Sequence, residues 1–520
     1  MIEERYPVVI VGAGPTGITA ATLLAQYGVD TLVLDRWSGV YPQPRAVHLD
    51  DEVYRIVARL GLAEEFARIS RPARGLRLVD RDMTTLAEFR RDSAFSAQGF
   101  PQANMFDQPA FEQVLRSGVA RYDRVNVRGD SDVTAVVHER DGVRVAFTDR
   151  VTGEHRFARA GYVLGCDGAN SVVRSSIGSR MRDLGFEQRW LVVDLATDSD
   201  LHQWEGVHQV CDPVRAATYM RIGSNRYRWE FRLRPGESAA DFPDLDTLRP
   251  LLDPWTGRLP DADLELVRVT DYTFRAQVAD RWRDRRVFLL GDAAHLTPPF
   301  VGQGMGAGLR DAGNLAWKLA GVLGGTLPDT RLDTYEQERK PHARHMIRLA
   351  TTIGWAMTEG GRIGNVVRRR LAPLAGRIPG LSAKVTDSAT PALHPSAFVH
   401  RNPVAGGLAG TLCPNPVPDG DSRRLDDTVP ARFLFVTTRE PSAGQRYEIE
   451  RRGAAVVPAP PGSDLGCWLA GGHAAAAIVR PDRTVMRAGR SLAALHTELP
   501  TFTPSDPHPT ATRSRRSRRA

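Results

Sequence analysis

The sequence predicts a mixed α/β fold in several domains, and three short segments of the 520 residues carry that prediction. Residues 8–17 read VVIVGAGPTG, a run of apolar β-branched residues followed by a glycine-rich turn. Residues 165–174 (GCDGANSVVR) and 289–295 (LLGDAAH) come at or just after further apolar runs. Such a run, ending in a glycine turn, is typical of a buried parallel strand. The three segments together indicate one nucleotide-binding domain.

The first segment predicts a strand, a tight turn and a helix of the Rossmann type. Gly12 permits the turn, Gly14 lets the backbone approach a pyrophosphate, and Gly17 lets the helix pack close to the strand. Pro15 and Thr16 fall in the first helical turn, where proline is favoured and where the helix dipole attracts phosphate. We therefore expect all five residues to bind the cofactor.

Asp35 follows the second predicted strand, residues 31–34, about twenty residues after the turn. An acidic side chain there can accept hydrogen bonds from a ribose diol, and Arg36 lies next to it in the predicted site. The alternative is a turn that only connects a strand to a helix. The unbroken pattern favours a nucleotide site, but this segment alone does not separate NAD from FAD.

The second and third segments separate these two cofactors. One predicted strand leads into Asp167-Gly168, and another stops at Gly291-Asp292. Asp292 can bind a ribityl hydroxyl, which is a group that flavins carry. Taken singly, either aspartate can be a helix cap or a turn residue. The order and combination of the segments favour FAD.

Together these residues resemble the group A flavoprotein aromatic hydroxylases, which have a glutathione-reductase-type FAD domain. The resemblance implies that Asp167-Gly168 contacts FAD and the nicotinamide cofactor, and that Gly291-Asp292 binds the ribityl chain. It implies further cofactor contacts from the loop beside the flavin ring and from two other loops: Pro299, Gly302, Gly304, Met305, Arg45 and Gln108. The chain departs from the family at Gly306, where Asn or Cys is common.

The resemblance also implies the domain plan. We expect an FAD-binding domain at residues 1–183 and 279–388, an inserted antiparallel substrate-binding sheet at 184–278, and a thioredoxin-like domain at 389–505. The last domain lacks a redox cysteine pair, so we interpret it as structural or as a dimer surface. Residues 506–520 form an arginine-rich tail that we expect to be disordered. Binding of nucleic acid by this tail is the alternative, which we do not favour.

Composition excludes several other classes of protein. Hydrophobic residues make up 42% and charged residues 25%, as in ordinary globular chains. No stretch of roughly 18 residues is wholly apolar, and the first strand begins too near Met1 for a signal peptide, so we expect no membrane segment. The 4 cysteines and 13 histidines show no metal-site spacing, so we expect no metal. Dispersed cysteines favour a reducing cytoplasm.

The resemblance implies a monooxygenase in which NADH or NADPH reduces FAD and the reduced flavin captures O2. The flavin C4a-hydroperoxide that results then hydroxylates a phenolic ring. Residues 44–52 and 211–215 further resemble the 3-(3-hydroxyphenyl)propionate and 3-hydroxycinnamate hydroxylases, which act ortho to the phenol. A homodimer is an expectation from the family. His48 is the candidate base for the phenol, because an ordinary histidine titrates near neutral pH. A structural histidine is the alternative.

Two other functions stay open. A hydroxylase of a polycyclic aromatic polyketide or of a rifamycin-like antibiotic would share all three segments. A non-catalytic flavin-binding protein would bind FAD without consuming NAD(P)H in response to a phenol. Substrate-stimulated oxidation of NAD(P)H, measured with small phenols, separates these possibilities.

Overall fold

The computed structural model describes residues 4–41, 46–91, 95–257, 259–358, 390–401, 407–417, 423–429 and 431–503. Arg45, the predicted tail at residues 506–520 and the predicted boundary at residues 388–389 lie outside these ranges. None of the helices in the described ranges has the length and apolar character needed to cross a membrane.

Strands in the described residues build four sheets. In chain order they are β1 (Glu4–Val11), β2 (Thr31–Leu34), β3 (His48–Asp50), β4 (Ser70–Pro72), β5 (Gly75–Val79), β6 (Thr85–Arg90), β7 (Ala103–Phe106), β8 (Val125–Arg128), β9 (Ser131–His138), β10 (Val143–Asp149), β11 (His155–Gly165), β12 (Met181–Ala196), β13 (Val207–Val210), β14 (Ala217–Arg221), β15 (Arg226–Arg232), β16 (Glu265–Ala279), β17 (Arg283–Asp284), β18 (Val287–Leu289), β19 (His295–Leu296), β20 (Leu434–Thr437), β21 (Ala455–Pro458), β22 (Ala476–Val479) and β23 (Val485–Gly489).

Helices lie between and around these strands. In chain order they are α1 (Pro15–Gln26), α2 (Asp51–Arg59), α3 (Ala63–Ile69), α4 (Gln108–Val119), α5 (Val172–Ser176), α6 (Leu245–Thr256), α7 (Gly304–Leu323), α8 (Asp333–Thr358), α9 (Leu425–Thr428), α10 (Ala443–Arg451), α11 (Asp464–Gly471) and α12 (Leu492–His496). Short 3-10 helices are formed by Ala239–Asp241, Asp261–Asp263, Gly291–Ala293, Pro299–Val301 and Asp329–Leu332.

Sheet 1 holds the strands that lead into the three segments. Its order is β17-β18-β11-β1-β2-β8, with β18, β11, β1, β2 and β8 parallel, and the hairpin β9-β10 is antiparallel to β11. Val11 pairs with Gly165, and Gly165 pairs with Leu289. The carboxyl ends of three strands that are distant in sequence therefore meet at one edge, which we call the motif edge.

Helix α1 starts at Pro15, as the sequence predicts, and ends shortly before Gly28. Its apolar residues Ile18, Ala21 and Leu24 are buried against the core. Gly28 follows its C-terminus with a φ of +80°, and the Gly28 N–H donates to the carbonyl of Ala25 at 2.9 Å. This left-handed conformation is easy only for glycine, which explains why the helix ends there.

Sheet 2 has the order β19-β16-β12-β15-β14-β13-β5-β6. The apolar side chains of Leu191, Val193 and Trp229 share one face of this sheet and pack under α6. The opposite face, which we call the inner face, carries Trp190 and its neighbours at alternate positions. The Trp190 ring lies 6.1 Å from that of Phe300, so the inner face is turned toward the nucleotide-binding part of the chain.

Two smaller sheets complete the described fold. Sheet 3 has the order β3-β7-β4, in which His48 pairs with Met105 and Met105 pairs with Arg71. Sheet 4 has the order β21-β20-β22-β23 near the end of the chain. Sheet 4 packs on the rest of the molecule through Phe433, whose ring lies 5.4 Å from that of Trp317 in α7.

Candidate active site

The first turn leaves no room for side chains at two of its glycines. Gly12 has a φ of +102°, and a Cβ atom there would overlap the carbonyl group of Cys166. A Cβ atom at Gly17 would overlap the carbonyl oxygen of Gly12. The Gly12 N–H donates to the carbonyl of Leu34 at 2.7 Å. The turn thus holds α1 tightly against the ends of β1, β2 and β11.

Gly14 differs from these two glycines because it faces open space. A Cβ atom there would meet no atom within 4 Å. Gly14 is the N-cap of α1, no side chain caps this helix end, and its first turn carries no acidic residue. The first N–H groups of a helix lack partners within the helix, and its N-terminus is the positive end of its dipole. The residues present therefore fit a pyrophosphate at the motif edge.

Thr16 joins this helix end to the third segment. A Cβ atom at Gly291 would lie 2.8 Å from Thr16 Oγ1, and one at Gly308 would overlap the same oxygen. Pro15, next to Thr16, is the first residue of α1, as predicted. The close approach brings the start of α1, the end of β18 and helix α7 together at the motif edge.

Asp35 lies beside the first turn at the end of β2. Its Oδ2 accepts a hydrogen bond from the Ala13 N–H at 2.5 Å, and its Oδ1 accepts one from the Trp37 N–H at 2.8 Å. The carboxylate therefore lies next to the glycine turn, and its binding to a ribose stays a prediction. The neighbouring Arg36 has its Nε 3.8 Å from Asp132 Oδ1 at the start of β9.

Asp167 lies beside the start of helix α5, whose N-cap is Ser171. Its Oδ1 accepts from Ser171 Oγ at 2.5 Å, and its Oδ2 accepts from the Val173 N–H at 3.1 Å. Burial raises the pKa of this carboxyl, and these hydrogen bonds oppose the rise. Gly168, which follows it, has a φ of +79° and faces open space. The second segment thus leaves open space next to Gly168 at the motif edge, and Asp167 precedes this glycine.

A buried charged network supports the third segment from behind. The Gly291 N–H donates to Asp311 Oδ2 at 3.1 Å, and His295 Nε2 lies 2.8 Å from the same oxygen. Arg339 Nε donates to Asp311 Oδ1 at 2.8 Å. Burial raises the pKa of Asp311, but His295 and Arg339 outweigh it and hold the pKa below its usual value. The network fixes the turn that carries Asp292.

The loop at residues 298–304 is anchored by a second charged network. Gln303 Nε2 donates to Asp50 Oδ2 at 2.7 Å, and Arg310 donates to the same carboxylate and to Gln303 Oε1. Glu52 pairs with Arg310 Nε at 2.8 Å. The loop includes Pro299, which starts a 3-10 helix, and it leads directly into α7.

The packing at the start of α7 explains why this chain has Gly306 where the family commonly has Asn or Cys. A Cβ atom at Gly306 would lie 2.9 Å from Val53 Cγ2 and 3.0 Å from Arg310 Nη1. A larger side chain would therefore disturb the network that holds the loop. Gly304 has more space, with its nearest atoms 4.0 Å away, and Met305 packs partly buried against the core.

His48 lies directly beside the loop. A Cβ atom at Gly302, where φ is +61°, would be 2.6 Å from His48 Nδ1. That nitrogen is buried and has no hydrogen-bond partner among the described residues. Burial, together with the positive charge of Arg91, lowers the pKa of His48 to about 4. The imidazole is therefore neutral near pH 7, and the ordinary pKa that made it a candidate base does not apply.

Gln108 lies at the start of α4 and contacts Ala46. Its Oε1 accepts from the Ala46 N–H at 2.6 Å, and its Nε2 donates to Glu112 Oε1 at 2.7 Å. Gln108 thus positions the residue that follows Arg45, although Arg45 itself lies outside the described residues. Through these two contacts Gln108 links Ala46 to helix α4.

The inner face of sheet 2 carries charged residues that the sequence patterns did not single out. Arg228 donates to both oxygens of Asp194, at 2.7 and 2.9 Å, and Arg268 Nε lies 3.1 Å from Asp194 Oδ2. Glu230 is on the same strand as Arg228 and is also buried. The sequence signal that could have identified these charged residues is the alternation RYRWEFR in residues 226–232, where charged residues occupy every second position.

Comparison with known proteins agrees with this geometry. A model of the FAD binding domain family matches residues 5–350. The chain is 40% identical over 357 residues to a "Probable NADH-specific resorcinol 4-hydroxylase" of Rhodococcus jostii (strain RHA1), covering 68% of this chain and 66% of the relative. It is 36% identical over 444 residues to a "3-(3-hydroxy-phenyl)propionate/3-hydroxycinnamic acid hydroxylase" of Burkholderia cenocepacia (strain HI2424), covering 84% and 80%.

Solved structures share the fold. The flavin-dependent monooxygenase PieE in complex with FAD and substrate superposes with a TM-score of 0.80 at 24% identity, covering 96% of this chain and 98% of PieE. Aklavinone-11 hydroxylase with FAD and aklavinone gives a TM-score of 0.79 at 24% identity, covering 96% and 99%. The predicted mixed α/β fold is confirmed.

The motif edge and the family match together define a flavoprotein with an FAD-binding domain. Within that class the chain belongs to the FAD-dependent aromatic hydroxylases, because relatives at 36% identity over most of its length carry that activity in their names. The protein is therefore an FAD-dependent monooxygenase, which confirms the enzyme class that the sequence predicts.

Proposed function

We propose that this enzyme uses NADH and O2 to hydroxylate a small phenol ortho to its hydroxyl group, with 3-(3-hydroxyphenyl)propionate or 3-hydroxycinnamate as substrate. The observation that carries the proposal is the meeting of three segments at the motif edge, beside the loop at residues 298–304 and under the inner face of sheet 2. The names of the relatives support the substrate class and the choice of NADH over NADPH.

Each predicted cofactor residue has a part in this proposal. Bound FAD supplies the redox chemistry that links the nicotinamide to O2. Gly12, Gly14, Pro15, Thr16 and Gly17 would hold its pyrophosphate, Asp35 its ribose, and Gly291-Asp292 its ribityl chain. The remaining contacts would come from the following residues: Arg36, Arg45, Gln108, Asp167, Gly168, Pro299, Gly302, Gly304 and Met305.

A positively charged cavity supports an acidic substrate. Its volume is about 260 Å³, and it is lined by Arg74, Arg90, Arg91 and Trp204. The charge of Arg91 reaches His48, because it contributes to lowering the pKa of that histidine. A carboxylate that enters from this side would be attracted by the arginines while its aromatic ring approaches the loop.

The test is oxidation of NADH by the purified FAD-loaded enzyme, with and without 3-(3-hydroxyphenyl)propionate, 3-hydroxycinnamate and resorcinol. We expect at least one of these phenols to accelerate the oxidation and to yield a catechol-type product one oxygen heavier by mass spectrometry. Bound FAD without stimulation by any of the three would reject the small-phenol proposal in favour of a polycyclic substrate. NADPH in place of NADH tests the cofactor preference.

His48 enters the proposal as a neutral hydrogen-bond acceptor beside the loop. We expect His48→Ala to lower the rate of hydroxylation by roughly 100-fold if it assists proton transfer. Exposed His155, at the start of β11 and outside the loop, provides the control His155→Ala. Equal rates in both variants across pH would assign His48 a structural role.

We also propose a reducing, cytoplasmic location and a homodimer. The location is supported by the four cysteines, all of which are free thiols. Sedimentation equilibrium of the FAD-loaded protein tests the dimer, and a mass near 57.2 kDa would indicate a monomer instead.

A further inference from the structure

Strand β15 has an unusual division of its side chains. Tyr227, Trp229 and Phe231 lie on the outer face and pack in the core under α6. Arg228 and Glu230 lie on the inner face, where charged residues would normally meet water, yet they are only 1% and 7% exposed. Burial of charge is costly unless each group has a partner, so these two residues require an explanation.

The two buried charges differ in their partners. Arg228 is held by both oxygens of Asp194, which also pairs with Arg268. Glu230 has no hydrogen bond or ion pair with any residue in the described part of the chain. Burial raises the pKa of Glu230, and the nearby Arg228 opposes that rise. A buried carboxylate that lacks a hydrogen-bond partner within the protein can accept a hydrogen bond from a bound ligand.

The register of sheet 2 places Glu230 over the site. Arg232 pairs with Trp190, whose ring lies 6.1 Å from that of Phe300 in the loop at residues 298–304. Arg228 pairs with Met220, which packs with Val47 next to His48. Glu230 is between Arg228 and Arg232, so it lies between the two places where the inner face meets the nucleotide-binding part.

We propose that Glu230 accepts the hydroxyl proton of the phenolic substrate; this inference rests on the proposed function. In that step the phenol O–H bond breaks, an O–H bond forms on the Glu230 carboxylate, and the electron pair stays on the phenolate oxygen. No group is oxidised or reduced, and the net charge of the site is unchanged. The phenolate activates its ring at the ortho carbon, and the positive charge of nearby Arg228 favours the ionised form of the carboxylate.

The experiment compares a phenol with its methyl ether in the FAD-loaded enzyme. Binding of 3-(3-hydroxyphenyl)propionate and 3-(3-methoxyphenyl)propionate is followed by the change in the flavin absorption spectrum. The ether has no hydroxyl proton to donate, so we expect the wild type to prefer the phenol at least roughly tenfold. Glu230→Gln should lose most of that preference, and its FAD content and melting temperature check that the variant is loaded and folded.

Glu265→Gln is the matched control, since Glu265 is an exposed glutamate at the start of β16 in the same sheet. It should keep the preference of the wild type. Glu230→Asp, which retains a carboxylate, should restore part of the preference that Glu230→Gln loses. This rescue separates a proton acceptor from a residue that only fills space.

The pH dependence gives a second readout. The charged groups that act on Glu230 are Arg228 on its own strand, Asp194 on β12 and Arg268 on β16. Asp107, before α4, interacts with Arg228. As pH falls through the raised pKa of Glu230, the carboxyl gains a proton and can no longer accept one. The preference for the phenol should therefore fall toward acid pH in the wild type and stay flat in Glu230→Gln.

Three outcomes would overturn the inference. An unchanged preference in Glu230→Gln, in an enzyme whose wild type binds phenols, would reject it and leave the proposed function standing. Loss of the preference in His48→Ala, with the preference kept in Glu230→Gln, would assign the acceptor role to His48 instead. A wild type that binds none of the tested phenols would overturn the inference together with the proposed function.

Discussion

At the scale of single residues, the glycines of the first turn serve two different purposes. Gly12 and Gly17 are required by the fold, because a Cβ atom at either would overlap a backbone carbonyl. Gly14 has no such constraint, because the space next to it is open. The sequence motif alone assigns all three to one function, whereas the packing separates those that shape the turn from the one that leaves room for a ligand.

Gly14→Ala should therefore affect the cofactor and not the fold. We expect the FAD-free protein to unfold at an unchanged urea concentration, because a methyl group meets nothing within 4 Å. The dissociation constant for FAD should rise at least roughly tenfold, because the methyl group would occupy the space left for the pyrophosphate. Fluorescence titration with FAD measures the affinity.

Gly39→Ala and Gly17→Ala complete this experiment. Gly39 also faces open space, but it is outside the turn. Gly39→Ala should therefore change neither the urea concentration of unfolding nor the dissociation constant for FAD. Gly17→Ala should destabilise the FAD-free protein, since the new methyl group overlaps backbone. FAD affinity in Gly14→Ala equal to that of Gly39→Ala would contradict the assignment of the phosphate site.

At the scale of elements, sequence patterns predict what is local. The strand at residues 31–34 and the helix start at Pro15 are confirmed, because each is set by its own residues and by a turn within a few positions. The antiparallel hairpin β9-β10 turns at Asp141-Gly142 and is likewise set by local residues. The domain boundaries remain a prediction.

Contacts between distant elements could not be predicted in this way. Charged residues at alternate positions of β15 would ordinarily indicate a face exposed to water. They are buried here only because another part of the chain covers the inner face, which no pattern within residues 226–232 reveals. The pKa of His48 was misjudged for the same reason, since it depends on burial beside Gly302 and on Arg91.

Helix α8 provides a prediction at this scale through Glu338. Its carboxylate accepts from Lys318 at 2.8 Å and from Arg480 at 2.9 Å, and all three side chains are fully buried. Burial alone would raise the pKa of Glu338, but Arg480 and Lys318 lower it to about 2. Glu338→Gln would leave buried Lys318 without its counter-charge, while Arg480 would keep Asp482, and we expect a cost of about 3–5 kcal/mol in the free energy of unfolding.

The pH dependence of Glu338 has a definite sign. Its pKa in the folded state is below the ordinary value of 4.5, so its contribution to stability is present above that pH and is lost as pH falls toward 2. Urea unfolding at a series of pH values should show this loss in the wild type and a flatter profile in Glu338→Gln. Glu450→Gln, at an exposed site in α10, is the control and should change little.

At the scale of the whole molecule, buried ion pairs join sheet 4 and its surroundings to the FAD-binding part. Arg55 in α2 donates to both oxygens of Asp426 in α9, at 2.7 and 2.8 Å, although they are 371 positions apart. Arg483 donates to the same carboxylate, and Arg480 reaches Glu338. Each part of the molecule therefore buries charges whose partners lie in the other part.

We expect this arrangement to make unfolding of sheet 4 and release of FAD a single cooperative transition. Separation of the two parts would remove Asp426 from Arg55 and Arg480 from Glu338, which would keep Lys318, and breaking buried ion pairs is strongly destabilising. Hydrogen exchange of peptides from residues 434–489 should therefore rise at the same urea concentration as the fluorescence of released FAD. Arg55→Met should shift both curves to lower urea by the same amount. Exchange in sheet 4 at a urea concentration where FAD stays bound would show instead that the C-terminal part opens independently, and the ion pairs would then serve only to position it.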